Sequence, residues 1–173
     1  MRRAAKPVRA YIALGSNLGN RLGNIRLALA EIRGLAGPGR MARSSLFETE
    51  PVGVKGHPDY LNMVASVETA LPPGRLMRGL LSIERKLGRS ARSRKGPRPI
   101  DLDILYYGDM VVKRPGLTIP HPRLHQRAFV LNPLAELAPD LVDPARKSTV
   151  REMLRGLERG GQRVEKIGRR RGE

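Results

Sequence analysis

The order in which hydrophobic periodicity switches along this chain limits its fold more than any other feature. Residues 8–14 alternate, which predicts a strand from Val8 to Leu14. "GSNLGNRLGN" supplies turn residues and an N-cap at Asn20, and Leu22, Ile25, Leu29 and Ile32 then recur at helical spacing as far as Gly34. Residues 41–48 read as a second strand, and 61–68 as a third with Leu61, Met63, Ala65 and Val67 on one face. Pro72 and Pro73 open a helix whose stripe, Leu76, Leu80, Ile83 and Leu87, ends at Gly88. A strand over 100–107 follows, with a hairpin expected at Gly108-Asp109, and then a short strand at 117–119. The order β-α-β-β-α-β predicts an α+β fold, a ferredoxin-like sandwich whose antiparallel sheet carries both helices on one face.

The remainder is less regular. Residues 126–137 mix strand and helix signals, and Thr149 with Glu152 forms a capping box before a last short helix. Residues 1–7 and 168–173 read as disordered tails. The 173 residues fit one domain, and no repeat or long linker divides them. With aromatics at 3%, the core must be built from Leu, Ile, Val, Ala and Met.

No run approaches the roughly 20 apolar residues of a membrane span. The basic start, "MRRAAKPVRAYIAL", has too short an apolar part for a secretory signal. The absence of cysteine excludes disulfides, thiolate metal sites and a thiol nucleophile. A soluble cytoplasmic protein is expected. The net charge of +17 suits a polyanionic partner, or equally reflects arginine spread along the chain.

Within "PRPIDLDILY", Asp101 and Asp103 stand among Ile100, Leu102, Ile104 and Leu105. In a strand, residues two apart share a face. The aspartates therefore project together, while Ile100, Leu102 and Ile104 enter the core. Adjacent carboxylates repel, and partial burial strengthens the repulsion. A hard divalent cation between them removes that cost, and Mg2+ binds through one or two carboxylates plus substrate phosphates. The alternatives are a solvated edge face or ion pairs to Arg98 and Arg94. No glycine cradle for nucleotide phosphates is present, so arginines and metal would have to hold any ATP.

Four motifs in order, "YIALGSNLGNR", "ETEPVG…HPDYLN", "GPRPIDLDILYYGD" and "LTIPHPRLHQRAFVLNPLAELAPDL", resemble the 6-hydroxymethyl-7,8-dihydropterin pyrophosphokinases of folate synthesis across about residues 8–145. The resemblance implies a ferredoxin-like α/β/α sandwich with a mainly antiparallel sheet. It implies transfer of the terminal diphosphate of ATP to the pterin hydroxymethyl group, release of AMP, and two Mg2+ ions. Asp101 and Asp103 would be the metal ligands and, with Arg89 and Arg98, the catalytic set. Glu84, Arg89, Arg98, Ile104, Thr118, His121 and Arg127 would serve ATP. Thr49, Val52, Tyr60, Asn62 and Phe129 would serve the pterin, with Asn62 offering both donor and acceptor and Phe129 a stacking face. His57 and His125 are read as structural.

The chain departs from the family pattern at Lys95, Ala91, Gly116 and Glu50, where members often carry tryptophan, arginine, arginine and proline. Arg92, Arg94 and Arg114 are candidate substitutes. The loop 88–98 is expected to close over ATP and draw Arg89 inward. The expected partners are the two small-molecule substrates, with no membrane and, despite the basic charge, no nucleic acid, and the protein is expected to be a monomer. The rival class is an RNA-binding ferredoxin-like module, but no strand carries its aromatic motif.

Overall fold

The computed structural model describes residues 6–53, 55–90, 96–157 and 162–167. The expected tails, apart from residues 6 and 7, lie outside these, as do Ala91, Arg92, Arg94 and Lys95. Chain order is β1 (Val8–Ser16), α1 (Arg21–Ala36), β2 (Met41–Arg43), β3 (Leu46–Thr49), β4 (Tyr60–Thr69), α2 (Pro73–Lys86) and β5 (Asp101–Tyr107). Then come β6 (Val112–Arg114), β7 (Leu117–Ile119), α3 (Ala128–Leu137), α4 (Val150–Leu157) and β8 (Val164–Ile167). A six-stranded sheet runs β5-β1-β4-β3-β8, with β2 also on β4, and its pairings are antiparallel. This is the ferredoxin-like order, with the extra strand β8 at one edge.

The two faces of the sheet bury different cores. Ile12, Leu14, Leu61, Met63, Ala65, Val67, Leu102 and Ile104 meet Ile25, Ile32, Leu76, Leu80 and Ile83 of α1 and α2. Complete burial of one such side chain contributes about 1.5–3 kcal/mol, so the α2 stripe alone fixes that helix to the sheet. On the opposite face Tyr11, Val64, Leu105 and Tyr106 meet Val130, Leu131 and Leu134 of α3 and Val150 and Met153 of α4. The mixed signals of 126–137 resolve as a helix because Val130, Leu131 and Leu134 are buried together on that face.

Three expectations change. The strand over 41–48 breaks in two at Ser44, whose buried hydroxyl accepts the Val64 N–H at 3.0 Å and donates to the Ser45 carbonyl at 2.8 Å. Gly108-Asp109 forms a turn, but β5 and β6 do not pair. The outer edge of β5 is taken instead by Glu84, which accepts the Leu102 N–H at 2.7 Å, and by the His121 N–H, which reaches the Leu105 carbonyl at 3.0 Å. The hairpin is β6-β7, turned at Pro115-Gly116 with Gly116 at φ 74°. Strand β8 carries no sequence signal, because "VEKI" is too short and charged to stand out. The open edge of β3 gives it its pairing partner.

The chain's irregularities serve the end of the sheet where the aspartates lie. The register of β1 against β5 shifts between Tyr11 and Ile12, leaving Leu105 as a bulge. Its carbonyl is the one that anchors His121. The buried Asp143 takes the Tyr106 hydroxyl at 2.9 Å, and its partner Arg146 donates to the Pro122 carbonyl at 3.0 Å, so α4's approach also braces the "PHPR" turn.

Candidate active site

Asp101 and Asp103 do project from the face of β5 opposite Leu102 and Ile104, into a cavity of about 530 Å3. The floor is small: Asp101 pairs with Gly15 and Asp103 with Ala13 on β1. Gly15 pairs in turn with Asn62 on β4. A Cβ at Gly15 would lie 2.9 Å from the Asn62 Oδ1, so only glycine leaves Asn62 its position. The remaining walls come from loops.

Three polar loops meet through Asn17, which is buried. Its Oδ1 accepts the Arg98 N–H at 2.8 Å and its Nδ2 donates to the Pro58 carbonyl at 3.3 Å. Its own N–H donates to the Arg98 carbonyl at 3.2 Å. "GSNLGNR" is therefore a staple and not a phosphate cradle. Asn20 caps α1 through the Gly23 N–H at 3.0 Å, as expected. Arg21 holds the Asp59 carbonyl at 2.7 Å and Glu48 at 2.8 Å.

The cations gather at the two aspartates. Arg89 donates to the Asp101 carboxylate at 2.6 Å and also contacts Glu84, and Arg98 lies 3.5 Å from the other Asp101 oxygen. Gly88, at φ 92°, ends α2 and turns the chain so that Arg89 enters the site. Arg89 is thus already inside the cavity, and the closure expected of the loop depends on residues 91–95, outside the described residues. His121 and Arg127 face Asp103 at 3.8 and 4.0 Å. Burial, then the Asp101 charge, pushes the Asp103 carboxyl above its usual range, against the pull of Arg127, Arg89 and Arg98.

His121 is held neutral. Burial first, then Arg127 and Arg123, lowers it to about 4. Its Nδ1 accepts the Arg123 N–H at 3.2 Å, which leaves the ring proton on Nε2, the nitrogen facing Asp103. The ring can therefore donate to a phosphate oxygen without carrying charge.

Across the floor, Tyr60, Asn62, Thr49, Val52 and Phe129 line the same cavity. Asn62 donates to the Thr49 hydroxyl at 2.6 Å, so Thr49 orients Asn62. The Arg127 guanidinium lies 5.4 Å from the Phe129 ring centre, joining the cationic and aromatic sides of the cavity.

Three expected ATP residues are placed elsewhere. The Ile104 side chain is buried in the α1/α2 core, on the far side of the sheet. Thr118 is exposed on β7 and does not line the cavity. Glu84 is neither a surface carboxylate nor a cavity wall. It is 2% exposed, raised to about 7 mainly by burial, and acts through Arg89 and Leu102. Conversely, His57, Arg123 and Gln126 line the cavity although no site role was expected of them. The turn at Leu124–Gln126 brings the last two there, a placement without periodic signal.

Residues 11–139 match the family model for 7,8-dihydro-6-hydroxymethylpterin-pyrophosphokinase (HPPK). The chain belongs to the HPPK family. It is 44% identical over 137 residues to the 2-amino-4-hydroxy-6-hydroxymethyldihydropteridine pyrophosphokinase of Haemophilus influenzae, covering 79% of this chain and 86% of that enzyme. With the enzyme of the same name from Methylorubrum extorquens it shares 42% identity over 158 residues, 91% of this chain and 99% of the relative. The Folic acid synthesis protein fol1 of Schizosaccharomyces pombe is 43% identical over 90% of this chain, and the chain spans only 21% of that protein. The wild-type HPPK-DHPS crystal structure from Plasmodium falciparum superposes with a TM-score of 0.70 over 89% of this chain and 45% of that one. At 14% identity that likeness speaks for the fold alone.

HPPK membership carries the function with it: pyrophosphoryl transfer from ATP to the hydroxymethyl pterin, in folate biosynthesis. The RNA-binding alternative gives way to it. Mg2+ is the metal HPPK chemistry requires, and the donor set fits: two crowded carboxylates whose repulsion a divalent cation relieves. Among the described residues no group of three or more His, Cys, Asp or Glu forms a self-sufficient metal cage. Among the described residues no helix is long and apolar enough to cross a membrane.

Proposed function

We propose that the residues gathered in this cavity carry the HPPK reaction in the following roles. Asp101 and Asp103 would hold two Mg2+ ions, which would supply neutralisation of phosphate charge and polarisation of the β phosphorus. Arg98, Arg89 and Arg127 grip phosphate oxygens, and neutral His121 donates one hydrogen bond through Nε2. Asn62, oriented by Thr49, pairs with the amide-like edge of the pterin. Tyr60 and Phe129 border its rings, and Val52 with the backbone of its loop closes the rim. The pterin hydroxyl, hydrogen-bonded to Asp101, then attacks the β phosphorus, and its proton is released to solvent. The bond from that phosphorus to the α–β bridging oxygen breaks, and AMP leaves.

One observation supports this assignment: the paired aspartates and the proposed pterin residues line one cavity, with Asp101 and Asn62 in a single cross-strand row through Gly15. The energetic work is mainly positioning and electrostatics. Reactants held in line and charges met by fixed donors need little reorganisation. Thr118 and Ile104 have no side-chain part in it, and Glu84 sets Arg89. We further read the chain as one catalytic domain over 1–173, monomeric and cytoplasmic, with ATP and the pterin as its partners.

The test is AMP formation from ATP, Mg2+ and 6-hydroxymethyl-7,8-dihydropterin. Stoichiometric AMP and pterin diphosphate, dependent on the pterin, are expected. ADP as the nucleotide product, or AMP release indifferent to the pterin, would contradict the reading.

A further inference from the structure

The loop 50–59, between β3 and β4, begins beside Thr49 and ends beside Tyr60. One residue outside it holds both its ends. Arg163 donates its backbone N–H to the Glu50 carboxylate at 3.1 Å, and its guanidinium bonds the Asp59 carboxylate. Gln162 adds a bond to the Glu50 carbonyl at 3.4 Å. Directly after Arg163, β8 joins the sheet, with Val164 opposite Thr49. Lys166 ties the strand to Glu136 of α3 at 2.5 Å, and Glu136 also takes the Ser45 N–H at 2.7 Å.

We propose that Arg163 is a positioning residue for the pterin, with β8 acting as a strap that fixes the two ends of the loop between Thr49 and Tyr60, at Glu50 and Asp59. This rests on the reading of residues 49–62 as the pterin side. The strap lies beyond the 11–139 stretch that the family pattern covers. Its ion pair to Asp59 is half-exposed, with side chains 52% and 33% accessible, and such pairs contribute little to fold stability. Its effect is local order instead. Both contacts clasp residues next to proposed pterin ligands, and neither touches the cluster of Arg89, Arg98, His121 and Arg127. Glu50 is one of the two anchor points, its carboxylate accepting the Arg163 N–H from outside the loop.

The account separates the two substrates. Arg163→Ala is expected to raise the KM for the pterin by about five- to tenfold, the loss of a charge-assisted bond that preorganises a site, with the KM for ATP within about twofold. Arg163→Lys should recover most of the difference. An unchanged pterin KM, or equal rises for both substrates, would overturn the proposal. Amide exchange of residues 50–59 without substrate gives an independent readout. Faster exchange there in Arg163→Ala supports the strap. Unchanged exchange, or acceleration throughout the sheet, overturns it. If the wild-type chain formed no AMP from the pterin, the functional reading would fall, and the exchange measurement would still decide the strap.

Discussion

Asp101 and Asn62 stand in one cross-strand row with Gly15 between them. Neighbouring strands lie about 4.7–4.9 Å apart, so the two side chains are about 10 Å apart across a gap that carries no side chain. The carboxylate proposed to handle phosphate and the amide proposed to read the pterin thus face one floor, at a separation suited to a substrate whose reacting hydroxyl extends from a flat ring.

The glycine is the inexpensive place to break this. In Gly15→Ala the new methyl meets the Asn62 Oδ1 at 2.9 Å, and Asn62 must turn away from Thr49 or the cavity. A misplacement of about 1 Å in a reacting pair costs on the order of 100-fold in rate. Steady-state kinetics should show a loss of that size in kcat/KM for the pterin. The affinity for an ATP analogue, measured by titration calorimetry, should hold. An equal loss in ATP affinity would argue against the two-sided floor.

Asn17 joins three loops, so its loss should be felt at two of them. Asn17→Ala removes the side-chain acceptor of the Arg98 N–H and the donor to the Pro58 carbonyl. The expected destabilisation is about 1–3 kcal/mol, the cost of stranding a buried polar group. Urea unfolding measures it, and both substrate KM values should rise together. A change confined to one substrate would show that the loops are set independently.

Much of this arrangement is legible in the sequence, and the exceptions have physical reasons. Periodicity placed β1, α1, β4, α2 and β5, because each buries one regular stripe in a common core. It placed the aspartates on the right face for the same reason. It could not place Asn17, whose value lies in partners 41 and 81 residues away. Ile104 matched a motif but faces the core, as its position between Asp103 and Leu105 requires. Arg123 and Gln126 enter the site through a single short turn, and β8 exists only because β3 offers an edge. Contacts of that kind are decided by tertiary assembly and leave no repeat to read.

Glu84 gives a pH signature. Burial raises it from 4.5 to about 7, against the opposing Leu102 N–H and Arg89. The folded state therefore holds an extra proton between those values. The stability this group contributes is complete below about pH 4.5 and is lost as pH rises to 7. Glu84→Gln keeps an oxygen for Leu102 and removes the titration. In urea unfolding, the stability of wild type relative to Glu84→Gln should fall across that window and level off above it. A difference constant with pH would place Glu84 near its ordinary value.

The central claim is that Asp101 and Asp103 are held close on one strand face for metal-bound triphosphate and not for the fold. The most direct measurement is pterin-dependent AMP formation by Asp103→Asn beside wild type at equal Mg2+, with thermal unfolding of both. The account predicts a rate lower by about 1,000-fold or more, as when a group stabilising charge in the transition state is removed, with an unfolding midpoint equal to or above wild type because a repulsive pair has been relieved. A variant that unfolds, or one that folds and turns over within tenfold of wild type, would contradict it.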